Sequence, residues 1–125
     1  MRKLFYIDDD RDDLEFFASA ADAEGIGAVV FENPDRLYDT LDNPPPVPSI
    51  IFLDINMPVS GFEILRNLRD VRKREDCRIA MLSTASDTTL IERSKDLGAD
   101  LYIVKPHSFD SLGKMLRDVN QPGFF

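Results

Sequence analysis

Five polar side chains in this chain have the types needed for metal-assisted phosphoryl chemistry, and each follows a short apolar run. Asp8 and Asp9 follow the first run, and Asp54 follows a later one. Thr84 and Lys105 follow two further runs in the same way. If these runs are parallel strands of one sheet, their carboxyl ends lie at one edge, where open α/β sheets bind ligands. Three carboxylates, a hydroxyl and an ammonium group would then converge.

Such a group of acids calls for a cation. Two carboxylates about 4 Å apart repel by roughly 4 kcal/mol at an effective dielectric of about 20, and one lysine cannot neutralise three acids. An all-oxygen ligand set favours Mg²⁺ over Zn²⁺, and Mg²⁺ usually pairs with phosphate oxygens. A neighbouring lysine and threonine could bind the other oxygens of a phosphoryl group. Mg²⁺ should relieve this repulsion and raise the melting temperature of the protein. Asp8→Asn should raise the melting temperature in metal-free buffer for the same reason.

Some of these acids also have simpler explanations. Taken alone, Asp54 is better explained as a loop residue that caps the following helix. Asp12 and Asp13 fall in the first turn of the next predicted helix, where negative charge is favourable. That explanation does not extend to Asp8 and Asp9, which lie at the strand end before the helix begins.

The apolar pattern predicts five strands that alternate with five helices. The predicted strands are Lys3–Ile7, Ala28–Phe31, Ile50–Leu53, Arg78–Leu82 and Asp100–Val104. Apolar residues at helical spacing, such as Leu14, Phe17 and Ala21, indicate the helices between them. Short connections and a continuously apolar third strand favour a parallel sheet with helices on both faces. The expected fold class is α/β, with a single doubly wound sheet.

A few residues indicate where the predicted helices begin and end. Gly25 and Gly27 are expected to end the first helix, and Asn33 to cap the second. The last helix is expected to begin near Ser108 and to turn Phe109 inward, together with the apolar residues that follow it.

The composition limits the possible functions. A length of 125 residues suits one domain, and a hydrophobic fraction of 43% suits a globular protein. The net charge of −8 disfavours direct binding to nucleic acid but suits a site that holds a cation. No apolar run is long enough to span a membrane, no signal-peptide pattern is present, and one cysteine excludes an internal disulfide. A cytoplasmic protein is expected.

Four motifs, in order, make the chain resemble a response-regulator receiver domain of two-component signalling. They are Ile-Asp-Asp, Leu-Asp-Ile-Asn-Met-Pro, Ser-Thr-Ala and Val-Lys-Pro, and the resemblance covers about residues 3–119, leaving 120–125 as a tail. It implies the flavodoxin-like strand order 2-1-3-4-5 that is known from chemotaxis receivers. It also implies that residues 1–125 form a single receiver domain.

The resemblance implies a role for each acid. Asp54 matches the aspartate that receives a phosphoryl group from a phosphohistidine. Asp8 and Asp9 match the acidic pair that holds Mg²⁺, Asp9 directly and Asp8 partly through water. Asn56 matches the residue whose backbone carbonyl binds the same ion.

Other matching residues would bind the phosphoryl group and respond to it. Thr84 matches the hydroxyl that bonds the phosphoryl group, Lys105 matches the ammonium that pairs with it, and Ala85 belongs to the same phosphoryl-binding set. Tyr102 matches the aromatic residue that moves inward when Thr84 is drawn towards the phosphate. The altered surface would lie on the fourth helix, the fifth strand and the fifth helix.

The chain departs from the family pattern at two places. Only two residues separate Pro58 from Gly61, one fewer than usual, which affects where the third helix begins. His107 stands where an aromatic residue is common, and we expect it to be an exposed loop residue rather than a phosphoryl carrier.

The leading hypothesis is a stand-alone receiver that a sensor histidine kinase or a phosphotransfer protein phosphorylates. It would act on a downstream protein partner or pass the phosphoryl group onward, as a monomer or a phosphorylation-dependent dimer. It would bind neither nucleic acid nor membranes, and would catalyse only its own phosphorylation and dephosphorylation.

Two alternatives are a Mg²⁺-dependent phosphohydrolase with Asp54 as nucleophile, and an inert receiver-like binding module. Asn56 disfavours the hydrolase, because such enzymes commonly have a second acid at that position. The full set of acids, hydroxyl and lysine disfavours the inert module.

Overall fold

The computed structural model describes residues 3–42, 48, 50–56, 60–68, 77–84 and 86–124. Within these ranges five strands alternate with five helices. The elements are β1 (Lys3–Ile7), α1 (Arg11–Ala23), β2 (Gly27–Phe31), α2 (Pro34–Asp42), β3 (Ile50–Asp54), α3 (Gly61–Asn67), β4 (Arg78–Ser83), α4 (Thr88–Asp96), β5 (Leu101–Val104) and α5 (Phe109–Asn120). None of these helices has the length and apolar character needed to cross a membrane.

The five strands form one parallel sheet in the order β2-β1-β3-β4-β5. Leu4 of β1 lies opposite Ala28 of β2 on one side and opposite Ile50 of β3 on the other. Because every neighbouring pair is parallel, all carboxyl ends lie along one edge. The strand order reverses between β1 and β3, which is where such sheets bind ligands. The predicted α/β class and strand order are confirmed.

Two hydrophobic cores cover the two faces of the sheet. Ile51 and Leu53 of β3 pack in a core with residues of α2 and α3, whereas Ile50 and Phe52 pack in a core with residues of α1 and α5. Every residue of β3 is buried, as the continuous apolar run predicts for a strand covered on both faces. Burial of each large apolar side chain stabilises the fold by about 1.5–3 kcal/mol, so both cores hold the end of β3 in place.

Short polar side chains cap the helices and decide where they begin. The Asp10 side chain accepts hydrogen bonds from the backbone N–H groups of Asp12 and Asp13, at 2.9 and 3.4 Å, and begins α1. Asn33 caps α2, as predicted, and α5 begins directly after Ser108, whose side chain caps it. Each cap satisfies backbone donors that the helix leaves unpaired.

Two local predictions need correction. Gly25 follows the end of α1 with a φ of 71°, which favours glycine, but Gly27 is the first residue of β2, paired with Lys3 in the parallel ladder. Phe109 does not turn inward, because it is 42% exposed and its ring lies 5.9 Å from that of Phe16, edge to face. As the first residue of α5, Phe109 precedes the part of the helix that covers the sheet, so its ring meets α1 instead.

Candidate functional site

Backbone hydrogen bonds continue the sheet by one residue at its carboxyl edge. The Asp8 N–H donates to the last carbonyl of β2 at 3.1 Å, and the Lys105 N–H donates to the last carbonyl of β4 at 2.7 Å. Directly after Asp54, the Ile55 N–H donates to a β4 carbonyl at 3.1 Å. The sheet therefore sets the positions of these strand-end residues before any side chain contact is made.

The acids at this edge form a compact cluster. Carboxylate oxygens of Asp8, Asp9 and Asp54 all lie within 4.8 Å of one another. Asp8 is 1% exposed and Asp54 is 3% exposed, whereas Asp9 lies at the surface. Two of the three carboxylates are therefore largely removed from water, and the third gives the cluster an open side.

Lys105 is the cation that faces these acids. Its Nζ lies 3.1 Å from Asp8 Oδ2 and 3.1 Å from Asp13 Oδ2. It also lies 3.3 Å from Asp54 Oδ1, so each of its three ammonium protons has a carboxylate nearby. Burial alone would lower the pKa of Lys105, but the charges of the neighbouring carboxylates outweigh burial and raise the pKa above its ordinary value.

Hydrogen bonds hold the Asp8 carboxylate at both oxygens. Oδ1 accepts from the Asp10 N–H at 3.0 Å, and Oδ2 accepts from the Tyr6 hydroxyl and from Lys105. Burial would raise the pKa of Asp8, yet these hydrogen bonds to the charged form outweigh it, and the pKa is lowered. Asp8 is therefore stabilised as a carboxylate by its own surroundings.

Asp54 shows the opposite shift. Burial, followed by the negative charge of Asp8, raises the pKa of Asp54 from 3.8 to about 6, although Lys105 and the Asn56 N–H act to lower it. That N–H lies 3.3 Å from Asp54 Oδ1. Without a bound metal ion, burial and the charge of Asp8 therefore disfavour the ionised form of Asp54.

This distribution of charge corrects one expectation. Charge crowding predicts that Asp8→Asn raises the melting temperature in metal-free buffer. Asp8 instead has three hydrogen-bond donors and a lowered pKa, so its removal should cost stability. Repulsion between the acids instead destabilises Asp54, because its few donors do not offset its burial beside Asp8.

The sequence prediction omits two residues of the site. Asp13 reaches Lys105 from the first turn of α1, although its position there is also explained by favourable charge at a helix start. Tyr6 donates to Asp8 from within β1. One sequence signal could have identified Tyr6: residues two apart in a strand point to the same face of the sheet.

Two of the remaining predicted site residues follow strands that end at this edge. Asn56 is exposed just after β3, and Thr84 is exposed just after β4. Tyr102 is half-buried in β5 and packs against the core that contains α2 and α3. Ala85 lies outside the described residues. His107 is exposed, as expected for a loop residue.

The third helix begins at Gly61, after the Ser60 cap, despite the short connection. A Cβ atom at Gly61 would lie 2.5 Å from the Asp54 backbone oxygen and 3.0 Å from Ile55 Cα. The Gly61 N–H also faces the Ile55 carbonyl at 3.4 Å. Glycine is therefore required here by the close approach of α3 to the segment that carries Asp54.

The donor chemistry of the cluster fits a hard divalent cation. Three carboxylates converge within the described residues, and the cluster includes no histidine or cysteine. Oxygen ligands of this kind favour Mg²⁺, which keeps several waters and takes few protein ligands. The exposed carboxylate of Asp9 gives an ion access to the cluster from solvent.

Comparisons with known proteins agree with this fold. The family model described as "Response regulator receiver domain" matches residues 4–117. Among solved structures, chemotaxis protein CheY4 of Vibrio cholerae has a TM-score of 0.82 at 24% identity, covering 94% of this chain and 97% of that one. Response regulator TrrA of Thermotoga maritima, solved in complex with Mg²⁺-BeF, has a TM-score of 0.74 at 26% identity, covering 94% and 97%.

A curated relative, transcriptional regulatory protein CpxR of Escherichia coli K12, is 26% identical over 120 residues. The match covers 95% of this chain and 49% of the relative. The chain therefore spans about half the length of the curated relatives it matches.

Proposed function

Since the chain belongs to the response-regulator receiver family, the signalling domains of two-component systems, we propose that Asp54 is its phosphoryl acceptor. The donor is a phosphohistidine on a sensor histidine kinase or a phosphotransfer protein, the proteins with which response regulators interact. One observation carries the proposal: Asp54 ends the buried central strand with its carboxylate 3.3 Å from Lys105 Nζ, beside two further acids.

In this proposal Asp9 and Asp54 would bind Mg²⁺ directly, Asp8 would bind it partly through water, and Asn56 would contribute its backbone carbonyl. The compact all-oxygen cluster supports this assignment. The ion would supply positive charge that offsets repulsion between the acceptor carboxylate and the incoming phosphoryl group.

The chain's own residues carry out the transfer. An Asp54 oxygen attacks phosphorus while the phosphorus–nitrogen bond to the donor histidine breaks, giving an acyl phosphate and a free imidazole. Only the ionised form of Asp54 is nucleophilic. A pKa of about 6, although raised, leaves Asp54 mostly ionised at neutral pH. Lys105 then pairs with phosphoryl oxygens in place of Asp54.

The proposed response to phosphorylation uses Thr84 and Tyr102, and Ala85 belongs to the residues proposed to bind the phosphoryl group. The phosphoryl group adds charge and acceptor oxygens, which draw the Thr84 hydroxyl towards the site. Tyr102, half-buried in β5, then turns inward and changes the surface of α4, β5 and α5 for a downstream protein partner. This is a shift between two populated states that differ in their contacts with the phosphoryl group.

Phosphorylation by a small donor tests the proposal. Incubation with acetyl phosphate and Mg²⁺ should add one acid-labile phosphoryl group, seen by intact mass, and Asp54→Asn should abolish it. Asp12→Asn, which removes an exposed acid of α1 outside the cluster, is the matched control and should be modified normally. A label that persists in Asp54→Asn would contradict the assignment.

The same assay separates the other candidate functions. A phosphohydrolase would turn over unrelated phosphate esters many times, whereas an inert module would stay unmodified. We propose that the protein belongs to neither class, and that it catalyses only its own phosphorylation and dephosphorylation. Phosphohydrolases of this kind commonly have the acid that protonates the leaving group two residues after the nucleophile, and here that position is Asn56.

Three broader expectations stay predictions. They are that residues 1–125 form one stand-alone receiver domain, that the protein is cytoplasmic, and that it is a monomer or dimerises on phosphorylation. The mass of the endogenous protein tests the first prediction, and cell fractionation tests the second. Size-exclusion chromatography with and without beryllofluoride tests the third.

A further inference from the structure

Tyr6 carries a buried hydroxyl next to the proposed metal site, and the proposed phosphoryl transfer does not use it. Tyr6 is 2% exposed, and its ring lies 4.5 Å from that of Phe17. An apolar side chain could fill this position without a hydrogen-bond requirement, whereas a buried hydroxyl costs free energy unless it has a partner. The packing therefore accounts for the ring of Tyr6 but not for its hydroxyl.

Among the residues that the structure describes, Asp8 is the one acceptor of a hydrogen bond from this hydroxyl. Tyr6 and Lys105 both donate to Oδ2, while the Asp10 N–H donates to Oδ1 at 3.0 Å. Three donors on two oxygens fix the orientation of the carboxylate as well as its charge. Of these donors, Tyr6 and the backbone N–H are held in place by packing and by the start of α1.

Lys105 differs from the other two donors because it has other partners. Its Nζ also lies near Asp13 and Asp54, and in the proposed transfer it turns towards phosphoryl oxygens. Without Tyr6, the Oδ2 atom of Asp8 would then lose its last protein donor in a site that is 1% exposed. With Tyr6 present, Asp8 remains hydrogen-bonded at both oxygens.

We propose that Tyr6 is a positioning residue, whose hydroxyl orients Asp8 within the acidic cluster and frees Lys105 to leave it. The inference rests on the proposed function, because it assumes that Mg²⁺ binds at this cluster. Hydrogen-bond partners of metal-binding carboxylates usually contribute 10–100-fold to metal affinity. Loss of the hydroxyl should therefore weaken Mg²⁺ binding without disturbing the core.

The substitution Tyr6→Phe tests this directly, since it keeps the ring against Phe17 and removes only the hydroxyl. We expect the dissociation constant for Mg²⁺, measured by calorimetry, to rise about 10-fold. The matched control is Tyr38→Phe, because the Tyr38 hydroxyl accepts from Asn67 Nδ2 at 3.0 Å, between α2 and α3. The control should bind Mg²⁺ like the wild type.

Tyrosine spectroscopy gives a second measurement that a purely structural role would not change. The chain has three tyrosines and no tryptophan, so its near-ultraviolet absorption and emission report mainly on tyrosine. Mg²⁺ bound beside Asp8 should alter the hydrogen bond of Tyr6 and hence this signal in the wild type and in Tyr38→Phe. The change should be absent in Tyr6→Phe.

The outcomes separate the inference from the function on which it rests. If wild type binds Mg²⁺ and Asp9→Asn does not, but Tyr6→Phe binds within about twofold of wild type or more tightly, the role of Tyr6 is overturned. If wild type fails to bind Mg²⁺, both proposals fail. Should Tyr6→Phe not fold, a wild-type tyrosine spectrum unchanged by saturating Mg²⁺ would overturn the inference.

Discussion

Asp8 and Asp54 are both buried beside Lys105, yet their surroundings shift their pKa values in opposite directions. Asp8 accepts from Tyr6, from a backbone N–H and from Lys105, which together outweigh its burial. Asp54 has a backbone N–H at 3.3 Å and shares Lys105, so burial and the charge of Asp8 dominate. Two acids of one cluster therefore have opposite effects on stability, and the difference can be measured.

Asp54→Asn should stabilise the metal-free protein at neutral pH. The pKa of about 6 in the folded state exceeds the ordinary value of 3.8, so ionisation of Asp54 opposes folding above about pH 6. The two-unit shift sets an upper limit of about 3 kcal/mol, and we expect a gain of about 1–2 kcal/mol by denaturant titration with chelator. The gain should vanish near pH 4, where the folded wild type has taken up a proton. A variant less stable than wild type at pH 7 would contradict this.

Asp8→Asn should have the opposite effect under the same conditions. The pKa of Asp8 is lowered in the folded state. Its negative charge therefore stabilises the protein when the pH is above the ordinary pKa of an aspartate, and this contribution is lost as the pH falls through the pKa of the folded state. Loss of charged hydrogen bonds should cost about 1–3 kcal/mol at pH 7. Asp12→Asn, at an exposed position, serves as the control for both substitutions. Equal signs for Asp8→Asn and Asp54→Asn would refute the assigned difference.

At the scale of elements, the approach of α3 to the end of β3 decides the shape of the site. The helix begins at Gly61, whose missing side chain leaves room for the backbone of Asp54 and Ile55. The cap at Ser60 accepts from the Phe62 N–H at 3.2 Å and directs the helix towards the sheet. The short connection therefore still produces a third helix that is held closely against the acceptor segment.

Gly61→Ala should destabilise the protein and disturb the site, because the new Cβ would lie 2.5 Å from a backbone oxygen that cannot move freely. We expect a loss of about 1–3 kcal/mol by thermal denaturation, with weaker phosphorylation of Asp54. Gly113→Ala in α5 is the matched control, since its Cβ would meet no backbone atom, only the Glu24 side chain at 3.0 Å, whose carboxylate pairs with Arg117. Alanine in a helix interior should there be neutral or add up to about 1 kcal/mol. Equal effects at both glycines would refute the close-approach argument.

At the scale of the whole molecule, a parallel sheet collects charge from distant parts of the chain. Asp8, Asp54 and Lys105 come from three strand ends, and the chain as a whole carries a net charge of −8. Both cores lie on the faces of the sheet, so they hold the strand ends without occupying the edge. The fold thus keeps an acidic cluster partly out of water and leaves it accessible from the side of Asp9.

Mg²⁺ should raise the melting temperature of the whole domain. A ligand that binds only the folded state at about 100 times its dissociation constant stabilises by about 2.7 kcal/mol, or roughly 10 °C for a domain of this size. Differential scanning fluorimetry with Mg²⁺ against chelator measures the shift. Asp9→Asn should lose most of it, and Asp12→Asn should keep it. An equal shift in both variants would place the ion elsewhere on the acidic surface.

Much of the architecture follows from pattern alone. Continuous apolar runs and capping residues predicted the strands and helices, with the exceptions of Gly27 and Phe109, whose positions depend on neighbouring elements. The strand-end positions of Asp8, Asp54 and Lys105 could also be predicted, because parallel strands place their carboxyl ends at one edge whatever the details of packing.

The amino-acid sequence by itself therefore determined the α/β class, the receiver family and the residues that meet at the sheet edge. Only the tertiary structure decided that Tyr6 bonds Asp8, that Asp13 shares Lys105, and that α3 needs glycine at its first residue. The physical reason is that the periodicity of the sequence assigns a residue only to a face or an edge, and gives no distances between atoms. Hydrogen bonds, pKa shifts and close contacts depend on distances of a few tenths of an ångström, which are set when several elements pack together.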